Sequence, residues 1–510
     1  MNYSAALAEN LHVDALAHLL RSDGQEDLCF ALWRPSRGVS RITALIQRLI
    51  LPLPGEREVH GNASFRAQYF ERALGLALQS GAGLAFFHSH LGPGWQGMSS
   101  DDVAAELGHA AATKAATGFP LVGMTLGTDG AWSARFWEKS APKKYVRRWC
   151  ESVRIVGNSL RITNNDDLNP PPSAGEELSR TVSAWGERAQ ADLARLRIGV
   201  IGTGSVGSIV GETLARMGVG DVILLDFDSL KAVNRDRTLH ANRRNSGKGH
   251  AKVKVLAEAL KESATAEHFN IEALEFSVVE ESGFRAALDC DVLFSCVDRP
   301  WPRAALNLIA YAHLIPVIDG GLRLAAKKDG AGLKHGDWRA HAVGPGRRCL
   351  ECLKQYVPAD VSLEQDGYLD DPGYISGLPV DHPARKNENV FGFSLHASGM
   401  EMLQFLKLVI PDPGLANVGA QHYHYVTAEM ETDTRVCETN CLFPGMIADG
   451  DSAAVSFVGR HPVAEQARAD RSRGERRPSA AVEFVMNLRR KAASLAKKLG
   501  KDRAGKGLKK

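Results

Sequence analysis

The 510-residue chain predicts an α/β protein built in two parts, an N-terminal α/β domain and a C-terminal doubly wound sheet. Three observations predict it. The length exceeds one ordinary core, since domains usually take about 100–200 residues. The short apolar runs 197–201, 222–225, 292–296 and 316–318 have the character of buried parallel strands, and helical segments separate them. Residues 161–177 are polar and rich in Pro and Asn, the composition of a linker. The expected organisation is a domain over 1–160, a linker over 161–177, a second domain over 178–445 and a tail over 446–510.

Within the first domain, residues 15–20 read as helix, and 28–33 and 84–90 as strands, the second run bounded by Gly83 and Gly92. At 44% hydrophobic and 24% charged residues the composition is that of a soluble globular protein. No apolar run reaches the roughly 18 residues of a membrane span. The start, Met1-Asn-Tyr-Ser-Ala, lacks the basic flank and apolar core of an export signal, so the expected location is the cytoplasm. Eight cysteines in such a chain should be reduced.

The net charge of +3 hides an asymmetry. From residue 460 onward there are 16 Lys and Arg against 5 Asp and Glu, which leaves the preceding body acidic. In the tail Val485, Leu488, Ala492, Leu495 and Leu499 recur at helical spacing, predicting one amphipathic helix with disordered flanks. Aromatic residues are sparse there, which argues against nucleic acid and for a solubilising tail or an acidic protein partner.

Residues 86–102 read Phe-Phe-His-Ser-His-Leu-Gly-Pro-Gly-Trp-Gln-Gly-Met-Ser-Ser-Asp-Asp. On a strand, His88 and His90 point to one face. A carboxylate from the first turn of a following helix would complete a His₂-carboxylate zinc site with one open position. Asp102 is the natural third ligand, and Ser99 can cap that helix or donate a hydrogen bond. Bound zinc lowers the pKa of water to about 7, and Glu26, at the start of an apolar run, could reach it as general base, though Glu56 and Glu58 also precede the histidines. The upstream Glu, His-x-His, spacer and Ser-x-x-Asp resemble the pattern of JAB/JAMM metallopeptidases, which cleave isopeptide or C-terminal peptide bonds of ubiquitin-like proteins. The resemblance implies Glu26 as base, His88, His90 and Asp102 as zinc ligands and Ser99 as oxyanion support. The spacer from His90 to Ser99 has eight residues, one more than the commoner pattern, so Asp101 and Asp102 both stand as the third ligand.

Gly202, Gly204 and Gly207 form Gly-x-Gly-x-x-Gly between a predicted strand and a predicted helix. Such a loop lets backbone N–H groups and a helix N-terminus meet phosphates. Asp226 follows Gly207 by 19 residues, where an acid can hold a ribose hydroxyl. Many dehydrogenases share that much. The ordered set that follows is more specific: Asp226 and Asp228, then Asn234 and Arg237, then Gly249-His-Ala-Lys252, then Ser295-Cys-Val-Asp298. It is similar to the ThiF/MoeB-like and ubiquitin-activating adenylating enzymes, which implies a Rossmann-like fold, ATP and Mg²⁺. Lys252 and Arg237 suit phosphates, Asp298 suits Mg²⁺, and Asn234 can hydrogen-bond the nucleotide. Arg180 resembles an upstream family arginine that reaches across a homodimer.

Cys349-Leu-Glu-Cys352 and Cys437-Glu-Thr-Asn-Cys441 suit a closed tetrahedral structural zinc, and a two-pair zinc recurs in the family resembled. No cysteine lies between the pairs, where many members carry a catalytic one, so no thioester is expected on this chain. Together the resemblances imply a bifunctional enzyme that adenylates the C-terminus of a ubiquitin-like β-grasp protein and hydrolyses bonds made there, with a conjugating enzyme as a further partner. The alternative is a sulfur-transfer pathway in which that carrier becomes a thiocarboxylate.

Overall fold

The computed structural model describes residues 1–60, 62–327, 332–378, 388–410, 417–453 and 457–476. Residues 1–461 form one compact unit and 462–510 a second. The first unit contains two large sheets.

The N-terminal sheet has nine strands in the order β11-β10-β1-β3-β2-β6-β7-β8-β9. These are β1 (Asn2–Ala8), β2 (Leu28–Arg37), β3 (Arg41–Ile50), β6 (Gly83–Ser89), β7 (Leu121–Leu126), β8 (Trp132–Ala141), β9 (Lys144–Trp149), β10 (Ser152–Val156) and β11 (Leu160–Asn164); β4 (Arg57–His60) and β5 (Asn62–Phe65) make a separate hairpin. Three helices accompany it: α1 (Glu9–Leu19), α2 (Ala67–Ser80) and α3 (Ser100–Thr117). The period of two along β2 and β6 sorts their residues onto two faces. Leu28, Phe30, Leu84 and Phe86 pack with residues of α2 and α3, while Cys29, Ala31, Ala85 and Phe87 pack on the α1 side. The predicted strands at 28–33 and 84–90 are therefore present, the first longer than expected and the second of the expected length but shifted one residue toward the N-terminus.

The second sheet has eight strands in the order β14-β13-β12-β15-β16-β17-β18-β19. Its parallel half comprises β12 (Arg197–Ile201), β13 (Asp221–Leu225), β14 (Asn270–Leu274), β15 (Val292–Ser295) and β16 (Val317–Ala326). An antiparallel extension follows: β17 (Leu333–Val343), β18 (Ala420–His424) and β19 (Glu429–Asp433). The helices in chain order are α4 (Ser179–Trp185), α5 (Glu187–Ala194), α6 (Ser205–Arg216), α7 (Arg243–Gly247), α8 (Lys252–Ser263), α9 (Glu281–Ala287), α10 (Pro300–Ala312), α11 (Pro358–Gln365), α12 (Pro372–Gly377), α13 (Phe391–Val409) and, in the second unit, α14 (Pro462–Arg476). Residues of α6, α8 and α13 cover one face and those of α9 and α10 the other. The order of the first four strands reverses between β12 and β15, the switch point where doubly wound sheets open a ligand crevice.

Two expectations differ from the structure. Residues 161–164, read as the start of a linker, form most of β11 and pair with β10. Residues 446–453, read as the start of the tail, are part of the first unit: Asp449 accepts from Gln47 at 2.7 Å, and Asp451 from Arg37 at 2.9 Å and Arg285 at 2.7 Å. Sequence polarity alone does not separate a linker from a polar edge strand. The predicted helix around Val485–Leu499 lies outside the described residues, as does the rest of 477–510. Among the described residues no helix is long and apolar enough to cross a membrane.

The two sheets share one core. Ala6, Ala8, Leu45, Val156 and Leu160 of the first pack in the same cluster as Val200, Leu224, Phe294 and Phe405 of the second part. Around that contact lies a buried charged seam. Asp291 accepts from Arg41 at 2.7 Å, from Arg154 at 2.9 Å and from the Arg197 backbone N–H at 3.0 Å. Asp289 accepts from the backbone N–H of Arg41 at 2.9 Å and from the Ser40 hydroxyl at 2.9 Å. Burial works against the ionised Asp291, but Arg41 and Arg154 outweigh it and hold the carboxyl below its ordinary value.

Replacing Asp291 by Ala strands two buried guanidinium groups, so chemical denaturation should show a loss of about 3–5 kcal/mol. The pH dependence follows in sign. A depressed folded pKa gives stability that is complete above the unfolded value of about 3.9 and is lost as pH falls through the folded value. The wild-type advantage over the variant should therefore shrink in acid and stay flat toward neutrality.

Candidate active sites and a cysteine cluster

The first site forms where β6 ends and α3 begins. His88 is the last but one residue of β6 and pairs in register with Leu28 of β2. Leu84, Phe86 and His88 alternate onto the face that α2 and α3 cover, and His90 follows just past the strand. Ser99 caps α3 with a reciprocal box: its hydroxyl accepts from the Asp102 N–H at 3.1 Å, and the Asp102 carboxylate accepts from the Ser99 N–H at 2.7 Å. The box turns the Asp102 carboxylate toward the histidines. Its two oxygens lie 3.4 Å from His88 Nε2 and 3.3 Å from His90 Nε2, and the two Nε2 atoms are 3.2 Å apart. Bonds of zinc to N and O of about 2.0–2.1 Å imply tetrahedral edges of about 3.3 Å, so the three donors fit one ion. Asp102 takes this place; the adjacent Asp101 is exposed. Ser99 spends its acceptor on the cap.

Glu26 stands two residues before Leu28. The paired backbones run on past β2, with the Ser89 N–H donating to the Asp27 carbonyl at 3.0 Å. This register brings Glu26 level with His90 and onto its face. His90 feels the charge of Glu26, after the larger influences of Asp102 and of burial. Asp27 is buried and pinned by Arg21 and Arg57, which fixes the segment.

A second layer, not anticipated from the sequence, holds α3 to the sheet. Glu106, one turn after Asp102, pairs with Arg135 of β8 and accepts from Trp137 Nε1 at 2.6 Å, all of them buried. Arg135 also donates to Thr125 at 2.6 Å, whose hydroxyl lies 3.3 Å from His88 Nε2. Glu106 can lie flat on β7 because residue 123 is glycine; a Cβ there would stand 2.2 Å from its carboxylate oxygen. No motif spacing flags these residues, since they come from elements far apart in the chain.

The second site lies at the switch point. Gly202 ends β12 with φ +89°, and a Cβ there would meet the Cys296 carbonyl at 2.5 Å. Gly207 sits so close to the Gly202 carbonyl that a Cβ would be 1.9 Å away. Gly204 caps α6, so the loop runs into a helix N-terminus that no side chain caps. Asp226 shapes the loop: its carboxylate accepts from the Thr203 N–H and the Asp228 N–H, both at 2.8 Å. Lys252, first residue of α8, donates to Asp228 at 2.7 Å. Burial lowers its pKa, yet Asp226, Asp228 and Asp298 together raise it, so it stays a cation. Asp298 is exposed just beyond β15. Asn234 caps a short turn through the Lys231 N–H, and Arg237 pairs with Asp236 and the Val233 carbonyl. The Leu239 N–H donates to Ser208, which lays this loop beside the first turn of α6. Arg180 is the exception. It lies on the exposed α4 beside Leu178, which packs at Gly218, the far end of α6 from the glycine loop.

The four cysteines of the two pairs converge after β17. Cys349 Sγ is 3.6 Å from Cys441 Sγ, near the edge of about 3.8 Å that zinc–sulfur bonds of about 2.3 Å imply. The Cys349 N–H points at Cys437 Sγ at 3.2 Å and the Cys352 N–H at Cys349 Sγ at 3.3 Å, as backbone donors do around thiolates.

Residues 178–380 match the model of the ThiF family. A tRNA threonylcarbamoyladenosine dehydratase of Escherichia coli K12 is 30% identical over 141 residues, 28% of this chain and 52% of that protein. Ubiquitin-like modifier-activating enzyme 5 of Drosophila willistoni is 26% identical over 144 residues, 26% of this chain and 35% of that protein. The chain thus spans about half of the first relative and a third of the second. The crystal structure of E. coli MccB with ATP aligns at 15% identity and a TM-score of 0.40, over 53% of this chain and 74% of that one.

Changing Gly123 to Ala should force Glu106 off the sheet. Denaturant titration should register a loss of about 1–3 kcal/mol, the usual cost of overpacking a full interior.

Proposed function

With residues 178–380 taken as a ThiF-family domain, we propose that the chain is a bifunctional enzyme acting on the C-terminus of a small ubiquitin-like protein. The second site adenylates that C-terminus and the first site, of JAB/JAMM type, hydrolyses the amide bonds it forms. The observation that carries the pairing is the convergence of His88, His90 and Asp102 on one point in a chain that also bears the ThiF-family domain.

In the adenylating step the substrate carboxylate oxygen attacks the α-phosphorus of ATP, and the bond to the bridging oxygen of pyrophosphate breaks. The N–H groups around Gly202, Gly204 and Gly207 hold phosphate oxygens. Lys252 and Arg237 offset the charge that grows on the leaving pyrophosphate, and Asp298 holds Mg²⁺. Asp226 keeps the loop in shape and has lone pairs left for ribose hydroxyls. Asn234 meets the nucleotide, and Arg180, remote from this loop, serves the site of a partner copy in a homodimer.

In the hydrolytic step a water oxygen attacks the scissile carbonyl carbon, and the C–N bond breaks as a proton reaches the leaving amine. His88, His90 and Asp102 would hold zinc, whose Lewis acidity would lower the pKa of a bound water to about 7. Glu26 takes the water's proton and returns it to the amine. Ser99 positions Asp102 through the cap, and its hydroxyl proton remains free for an oxyanion. A second zinc at Cys349, Cys352, Cys437 and Cys441 is structural.

The remaining thiols support transfer of the adenylate without a thioester on this chain. Cys29, Cys150 and Cys290 are buried, and burial pushes their thiols up. Cys296 is pushed up as well, by burial and by Glu401. A nucleophilic cysteine needs the opposite environment.

Glu26→Gln should abolish cleavage of a modifier fusion while leaving the zinc content of the purified protein equal to that of the wild type; unchanged cleavage would remove Glu26 from the mechanism. With modifier and Mg-ATP, the wild type should exchange labelled pyrophosphate into ATP. Lys252→Ala should slow that exchange on the order of 10²-fold or more, and Asp298→Ala should stop it. Exchange that survives both changes would refute the assignment of this site.

A further inference from the structure

Apart from the two zinc centres proposed above, one further group of side chains among the described residues is arranged like metal ligands. His422 and His424 are alternate residues of β18, so both imidazoles rise from one face. Asp337 of β17 stands directly opposite His424, and Glu431 of β19 directly opposite His422. Opposed residues of antiparallel strands share a face, so three adjacent strands bring two imidazoles and two carboxylates together. The other face is committed to packing: Trp338 stacks on Tyr423 and on Phe393 of α13. The polar face is therefore free of core duty.

Ligand atoms of Asp337, His422 and His424 lie within 4.8 Å of one another. His424 Nδ1 is 3.0 Å from an Asp337 oxygen, close to the separation of about 3.3 Å between two donor atoms of one zinc ion. Its Nε2 is buried, makes no hydrogen bond, and lies 3.6 Å from the Glu431 carboxylate. The two imidazole centroids are 4.2 Å apart, a spacing that disfavours charging both rings. Neutral imidazoles beside carboxylates are the donor set of Zn²⁺ and its neighbours in the first transition row.

We propose that His422, His424 and Asp337, with Glu431 as fourth donor, bind a divalent ion of the Zn²⁺ class, separate from the His88 and cysteine centres. The ion ties the edge hairpin β18–β19 to β17. It sits at the rim of a cavity of about 500 Å³ that His422 and Glu431 line together with Arg339, Asp433 and Arg435. The competing explanation is a protonated His424 between two carboxylates, with no metal.

The test uses the full chain carrying His88→Ala and His90→Ala, loaded with zinc alone and desalted. Adding His422→Ala and His424→Ala should remove one further zinc per chain. After cobalt loading, the additional pair should erase the weak visible bands of N/O-ligated cobalt and leave the thiolate charge-transfer bands. Asp337→Asn, which keeps the side-chain shape, should weaken zinc uptake in a competition titration on the order of tenfold or more. Equal zinc content and equal cobalt spectra with and without the His422 and His424 changes would overturn the site, as would unaltered uptake by the Asp337 variant.

Discussion

The buried carboxylate of Asp291 is the point on which the rest of the molecule is assembled. It closes the N-terminal end of β15, receives the backbone of β12, and holds Arg41 and Arg154 from the other sheet. An ion in that position has no water to fall back on, so its partners must stay. The apolar cluster beside it runs from Ala6 and Leu45 to Val200 and Phe294 without a break. Two sheets that each resemble an independent domain are thereby fused into one compact unit, and the strands that carry the two candidate sites inherit a common frame.

That frame positions chemistry in two ways. At the first site the geometry comes from a helix start: the Ser99–Asp102 box aims the carboxylate, and the Glu106–Arg135 pair presses the helix down. At the second it comes from the ends of strands, where glycine is required because a Cβ at Gly202 or Gly207 would enter another residue's backbone. Rigid supports set the distances between side chains in one, and missing side chains bring backbone segments close together in the other. Both depend on elements that end within a residue or two of the functional group.

Much of this was legible in the sequence because it is local. The strands at 28–33, 84–90, 197–201 and 222–225 follow from apolar runs, and His-x-His on a strand followed by Ser-x-x-Asp fixes which atoms can meet. Which of Asp101 and Asp102 turns toward the histidines depends on the helix phase, and the cap directs Asp102 there. Three things were not legible. Residues 161–164 and 446–453 look like linker and tail, and their pairing or ion contacts come from partners far along the chain. Thr125, Arg135 and Glu106 carry no motif. Asp337, His422, His424 and Glu431 sit on three strands, and only the antiparallel register aligns them.

The flat seat of Glu106 over Gly123 has a consequence of another kind. The contact among Gly123, Glu106, Arg135 and Trp137 includes neither His88 nor His90. A chain without the two histidines could keep this bare strand position beneath a buried acid, because the histidines take no part in the contact.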